Sequence, residues 1–170
     1  MTTRISLLAL LLTAASTLLP VSARALDVPK GDVILTITGR LDHPNADGKA
    51  QFDLPMLEAL AGRSGEMETF WTEGRLTFSG PLLRSVLTAA GAHGTKVKLT
   101  ALNDYSAELP MEDATDLDTM LATRMNGAVM SVRDKGPLFL IYPFDEKPEL
   151  MNEKYFSRSV WQIRDIEVTE

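Results

Sequence analysis

The sequence predicts an α+β domain built from many short strands and two or three short helices. Three stretches carry that expectation. Leu138–Tyr142 is a continuous apolar run of strand length between Pro137 and Pro143, which fits a strand buried on both faces. Asn126-Gly127, just ahead of the apolar run Ala128–Val132, is a two-residue hairpin signal because both positions tolerate positive φ. Only Leu82, Leu83, Val86, Leu87 and Ala90 recur at clear helical spacing, with Gly91 at the stop. Runs of short strands with a few separate helices define the α+β class.

The elements follow in order. Asp32–Gly39 is rich in β-branched residues and partly alternating, a first strand stopped by Gly39. Asp42–Gly48 is loop by composition, and its Asp42, Asn45 and Asp47 miss the spacing of a Ca²⁺ loop. Asp53 caps a short helix with Pro55 in its first turn, Met56, Leu57 and Leu60 facing inward and Gly62 ending it. Met67–Gly74 is read as a strand running into a polar turn, and Arg75–Phe78 as a short strand. Ser79-Gly80-Pro81 then opens the Leu82–Ala90 helix. Lys96–Leu102 alternates as a strand, Asn103-Asp104-Tyr105 turns, and Ser106–Leu109 returns. Pro110–Asp118 is short helix or irregular, with Glu112 and Asp113 suited to a helix start. Leu121–Arg124 leads into the hairpin. Glu146–Phe156, broken by Pro148, reads as loop, and Val160–Val168 closes the chain as a long strand.

Ahead of these elements lies a targeting segment. Arg4 supplies a positive start, Ile5–Leu19 is uncharged and mostly apolar, and Ala23-Arg24-Ala25 is an A-x-A cleavage site. Residues 1–25 are expected to be a signal peptide cut before Leu26, with no arginine pair for twin-arginine export. No later stretch is apolar for long enough to span a membrane. Residues 26–170 then form one domain, periplasmic or secreted, with 145 of the 170 residues available for a single core. Without Arg4 and Arg24 the 17 basic residues fall to 15 against 23 acidic ones, a mature charge of −8. That field opposes binding to nucleic acid or an anionic membrane. Cysteine is absent, so disulfides, thiolate metal sites and cysteine nucleophiles are excluded.

The chemistry-bearing residues are few. Asn103-Asp104-Tyr105 offers a carboxylate and a phenol, although its residue types also suit a plain β-turn. Arg124, Arg133, Lys135 and Arg158 lie nearest the central strands and form either a local anion site or solvated turn charges. Trp71 and Trp161 either line a pocket or pack in the core with satisfied indole N–H groups. The eight methionines are scattered, and His43 and His93 stand alone in loops, a poor basis for a metal centre. Nucleotide-binding loops and the serine-hydrolase elbow are missing.

Five stretches in sequence order carry a resemblance. They are Phe78-Ser-Gly-Pro-Leu-Leu-Arg-Ser-Val-Leu with Gly91, Ala101-Leu-Asn-Asp-Tyr105, Leu121-Ala with Asn126-Gly127, Lys135-Gly-Pro-Leu-Phe-Leu-Ile-Tyr-Pro143, and Ile163-Arg-Asp-Ile-Glu-Val168. Together they resemble the molybdopterin-binding domain of the sulfite oxidase family over nearly the whole mature chain. The resemblance implies that family's α+β fold. It also implies one metal-ligating cysteine near Thr69 to Thr72, a residue this chain lacks. The family's histidine and arginine around its central turn are missing from Lys135-Gly136-Pro137-Leu138-Phe139. Of its closing phosphate-holding cations, Arg158 keeps one charge, since Trp161-Gln162 follow where a lysine precedes the family's tryptophan. The family's cofactor is inserted before folded export, whereas general export threads an unfolded, empty chain.

The expectation is therefore a sulfite oxidase-type domain without molybdenum, with no catalytic or metal-ligating residue and no cofactor, that binds a small ligand, anionic if the cations face it, or a periplasmic protein. Its pocket is expected to be lined by Trp71, Thr72, Asn103, Asp104, Tyr105, Arg124, Arg133, Lys135, Arg158 and Trp161. The rival reading is an oxidoreductase holding molybdopterin with oxygen ligands to the metal.

Overall fold

The computed structural model describes residues 26–170, and the expected signal peptide, residues 1–25, lies outside the described residues. The larger sheet joins both ends of the domain. Its strand order is β2 (Ala50–Phe52), β1 (Leu35–Gly39), β11 (Ile163–Thr169), β5 (Lys96–Ala101), β6 (Ser106–Pro110). β1 and β11 run parallel and every other pair is antiparallel. The alternation in sequence sets the faces. Leu35, Ile37, Val97, Leu99, Ile163, Ile166 and Val168 point into the core, while Lys96, Lys98, Arg164 and Glu167 stay exposed.

A second sheet, β3 (Gly62–Met67), β4 (Leu76–Pro81), β8 (Arg124–Met125) and β9 (Ala128–Val129), packs beside the pair β7 (Met120–Ala122) and β10 (Phe139–Ile141). The predicted apolar run is the centre of the core: Leu138 to Tyr142 are all 0% exposed. Fully burying each such aliphatic or aromatic side chain contributes roughly 1.5–3 kcal/mol. The Asn126-Gly127 turn joins β8 to β9 with φ of 50° and 80°, the conformation its residue types allow.

Helix α1 (Leu54–Glu58) starts where expected. Asp53 Oδ1 accepts from the Met56 N–H at 2.9 Å, and Oδ2 accepts from Lys30 and Gly31 N–H. Helix α2 (Leu83–Ala89) buries Leu83, Val86 and Leu87, and Gly91 turns away at φ 64°. Helix α3 is a single turn, Glu112–Thr115.

Five expectations are corrected. The strand placed at Met67–Gly74 lies instead at Gly62–Met67, so Gly62 opens β3 and α1 ends at Ala59. This segment is polar and glycine-rich because its backbone lies hard against Gly80 of β4, where a Cβ on Gly62 would overlap the Gly80 carbonyl. Ser79-Gly80-Pro81 completes β4 rather than opening α2, with Gly80 giving the Leu121 carbonyl room to approach. Glu146–Phe156 contains a 3₁₀ turn at Pro148–Leu150 and a helix, α4 (Glu153–Arg158), capped by Asn152 Oδ1 accepting from Lys154 N–H at 3.1 Å. The last strand begins at Ile163 because Gln162 takes φ 57°. Finally, β2 adds an antiparallel edge to β1 inside a stretch with no strong strand pattern. No helix among the described residues is long and apolar enough to cross a membrane.

Candidate functional site

The loop Ser131–Pro137 between β9 and β10 is held from both sides. Ser131 Oγ donates to Asp134 Oδ2 at 2.7 Å, closing a 3₁₀ turn over Val132–Asp134. Gly136 N–H donates to the Ser131 carbonyl at 2.7 Å. Gln162 then ties the loop to β11: its N–H donates to the Lys135 carbonyl at 3.0 Å and its Nε2 to the Val132 carbonyl at 2.7 Å. Glycine is required at 136, since a Cβ there would overlap the Met130 backbone. These ties fix the backbone that carries two cations. Neither Arg133 nor Lys135 forms an ion pair among the described residues, whose salt bridges all use other cations. Lys135 Nζ stands 5.3 Å from the Trp161 ring centre, a cation–π distance.

Trp161 belongs to an aromatic wall. It lies 5.6 Å from Trp71 and 6.2 Å from Phe139, and Trp71 lies 5.9 Å from Phe156. Both tryptophans are half-buried, and neither indole N–H meets a protein acceptor among the described residues. The pure core reading of these side chains would have satisfied those groups. A hollow opens on each side of the pair. One, of about 230 Å³, is lined by Trp71, Thr72, Leu76 and Met125 together with two cations, Arg133 and Lys135, and two carboxylates, Glu73 and Asp134. The other, of about 170 Å³, is lined by Ala101, Asn103, Tyr105, Val160 and Trp161.

Seven of the ten expected residues therefore gather around one aromatic wall: Trp71, Thr72, Arg133 and Lys135 on one side, Asn103, Tyr105 and Trp161 on the other. Three stand apart. Arg124 forks onto Glu58 at 2.7 and 3.0 Å in a separate cleft of about 480 Å³. Hydrogen bonding from Arg124 holds the Glu58 carboxyl below its usual range. Arg63 in that cleft is bound to Asp145 and Glu146, so each of its cations is already matched. Asp104, at φ 65°, pairs outward with Arg164 at 2.8 Å. Arg158 points inward, where its Nη1 donates to Asp113 Oδ2 at 2.7 Å and the Tyr142 hydroxyl donates to the same oxygen at 2.7 Å. Burial, then the bond to Asp113, pushes the Tyr142 hydroxyl far above its ordinary pKa. Sequence reasoning missed Gln162, which anchors the basic loop, and Phe156, which flanks Trp71; the Asn152 cap ahead of Phe156 was the available sign of its helix.

A mixed five-stranded sheet, smaller antiparallel sheets and short helices, with a hollow where the end of β5 meets the segment leading into β11, define an α+β domain of the sulfite oxidase architecture. The sequence profile described as "Oxidoreductase molybdopterin binding domain" matches residues 61–170, and the chain belongs to that family. Among solved structures it is similar to the sulfane dehydrogenase SoxCD of Paracoccus pantotrophus, with a TM-score of 0.59 and 20% identity. The match covers 85% of this chain and 40% of that one, and identity at this level speaks for the fold alone. No curated protein matches the chain.

The chain offers no thiolate for the metal of that family. In the stretch near Thr69 to Thr72, where the resemblance implies the ligating thiolate, Thr69 is 6% exposed. Its Oγ1 lies 2.8 Å from Thr72 Oγ1 and accepts from Trp71 N–H at 3.3 Å. The two hydroxyls bond one another, and a neutral hydroxyl is a hard, weak substitute for thiolate beside a dithiolene-bound metal. Among the described residues no group of three or more His, Cys, Asp or Glu side chains is placed to hold a metal ion.

Proposed function

We propose that this protein is an exported, periplasmic binding module that uses the oxidoreductase molybdopterin-binding fold without molybdenum. One observation carries the reading: the chain has no cysteine, and near Thr69 to Thr72, where the resemblance implies the metal-ligating sulfur, two hydroxyls bond one another at 2.8 Å. The protein keeps an aromatic wall with two unpaired cations, Arg133 and Lys135, on a rigid loop. Braced rings and a loop whose backbone is already tied down suit reversible recognition of a small molecule, because little backbone freedom is lost on binding. General export explains how a chain without cofactor reaches its compartment.

A protein partner is the second reading, favoured by Phe70, which is 57% exposed over Phe156 at the rim of the wall. Native mass spectrometry of the chain purified from its own compartment tests the proposal. The expected species starts at Leu26 and carries a small-molecule adduct that is lost on denaturation. A molybdopterin adduct, or a mature chain that never carries a ligand, contradicts it.

A further inference from the structure

The hollow beside Trp161 is a preformed slot for one kind of molecule, a conclusion that rests on the binding-module reading. Its volume is about 170 Å³. An apolar cavity near 150 Å³ accommodates one benzene ring. The walls are two rings, Trp161 and Tyr105, and two small aliphatic side chains, Ala101 and Val160. Each wall is fixed. Tyr105 Oη donates to the Ser157 carbonyl at 3.2 Å. Leu102 N–H donates to the Gln162 carbonyl at 2.9 Å, tying the end of β5 to the start of β11. Trp161 is braced by Trp71 and Phe139 at 5.6 and 6.2 Å.

One polar side chain breaks this apolar lining. Asn103 Oδ1 accepts from Tyr105 N–H at 3.2 Å. A backbone N–H can only donate, so the oxygen end of the amide is identified and the nitrogen end is the free one. No acceptor among the described residues takes a hydrogen bond from Asn103 Nδ2. The slot thus offers ring surfaces and, on its one amide side chain, an unfilled N–H donor.

We infer that the Asn103–Tyr105–Trp161 slot binds a small planar aromatic molecule that bears one uncharged hydrogen-bond acceptor, such as an aryl carbonyl. Aromatic rings attract one another beyond the area they bury, and the acceptor meets the Asn103 amide N–H. No charged side chain lines this hollow, whereas Lys135 and Arg133 line the other one.

Acetophenone is the probe, read through the two indole N–H resonances of uniformly ¹⁵N-labelled mature chain, with Trp71→Phe assigning them. Acetophenone is expected to move the Trp161 resonance saturably. Cyclohexyl methyl ketone, with the same acceptor on a puckered ring, is expected to bind at least about fivefold more weakly. Asn103→Asp keeps the oxygen that holds Tyr105 N–H but removes the donor, and should weaken acetophenone roughly fivefold. Tyr105→Ala, at an exposed position, should weaken it as well without unfolding the domain. No saturable shift at Trp161, equal binding of the two ketones, or an unchanged affinity in Asn103→Asp each overturns the inference. Benzoate moving Trp71 in a Lys135-dependent way while acetophenone does nothing would overturn it yet leave the binding-module reading intact. That reading fails separately, if the same preparation carries molybdenum.

Discussion

Arg158 and Lys135 entered with the same expectation, as cations near the central strands, and the fold treats them oppositely. Arg158 closes a buried triangle: its guanidinium and the Tyr142 hydroxyl both donate to Asp113 Oδ2, and Thr119 Oγ1 donates to the Asp113 carbonyl. Lys135 sits on a loop that is equally fixed, yet among the described residues its ammonium meets a ring face and no carboxylate. A cation's availability is thus decided by whether the chain supplies an anion at hydrogen-bond distance. Position in sequence near a pocket does not decide it. The inner triangle joins α3, the residue that follows β10, and α4, which makes it a clasp of the fold. The outer loop has fixed geometry with its charge unspent, which is what a binding surface requires.

The sharpest way to break this contrast is Asp113→Ala. It strands a guanidinium whose side chain is 21% exposed and a buried hydroxyl, and should destabilise the domain by about 3–5 kcal/mol in urea unfolding. A loss under about 1 kcal/mol would mean the triangle is no clasp.

Tyr142→Phe removes one arm and should lower stability by about 1.5–3 kcal/mol, the range for a bond to a charged group. It also carries a pH signature. The folded pKa of Tyr142 is raised, so between the unfolded value near 10.0 and the folded one the native state holds a proton that the unfolded state has lost. That contribution is fully present below pH 10 and is lost as the pH rises beyond it. Unfolding free energies measured from pH 8 upward should fall less steeply in Tyr142→Phe than in the parent; equal slopes would contradict the assignment.

The outer loop should respond weakly in stability and strongly in binding. Lys135→Ala should destabilise by about 0.5–1 kcal/mol through the lost ring contact. Arg133→Ala should stay within about 0.5 kcal/mol. Both should reduce the thermal shift produced by a small carboxylate such as benzoate. An unchanged shift in both variants would remove the basic hollow from the binding surface.

Local signals were legible in the sequence wherever the cause was local. The Asp53 cap, the Asn126-Gly127 turn, the α2 stripe and the Leu138–Tyr142 run depend on residues within a few positions of one another, and each lies where it was read. β3 escaped because its strand character comes from pairing with β4 across Gly62 and Gly80, with no help from β-branched side chains. α4 escaped because Pro148 looked like the end of order, while the cap that starts the helix is Asn152. The grouping of Trp71, Lys135 and Trp161 rests on contacts between residues far apart in sequence, which no local pattern announces. The same holds for the fate of Arg158, since Asp113 lies 45 residues away and nothing near either residue announces the other.

Molybdenum per polypeptide, measured by elemental analysis on the mature chain purified from its native compartment, bears most directly on the idea that this architecture now binds without its metal. We predict background molybdenum before and after dialysis, alongside full folding cooperativity. Close to one atom per chain, retained through dialysis and required for turnover, would contradict the account.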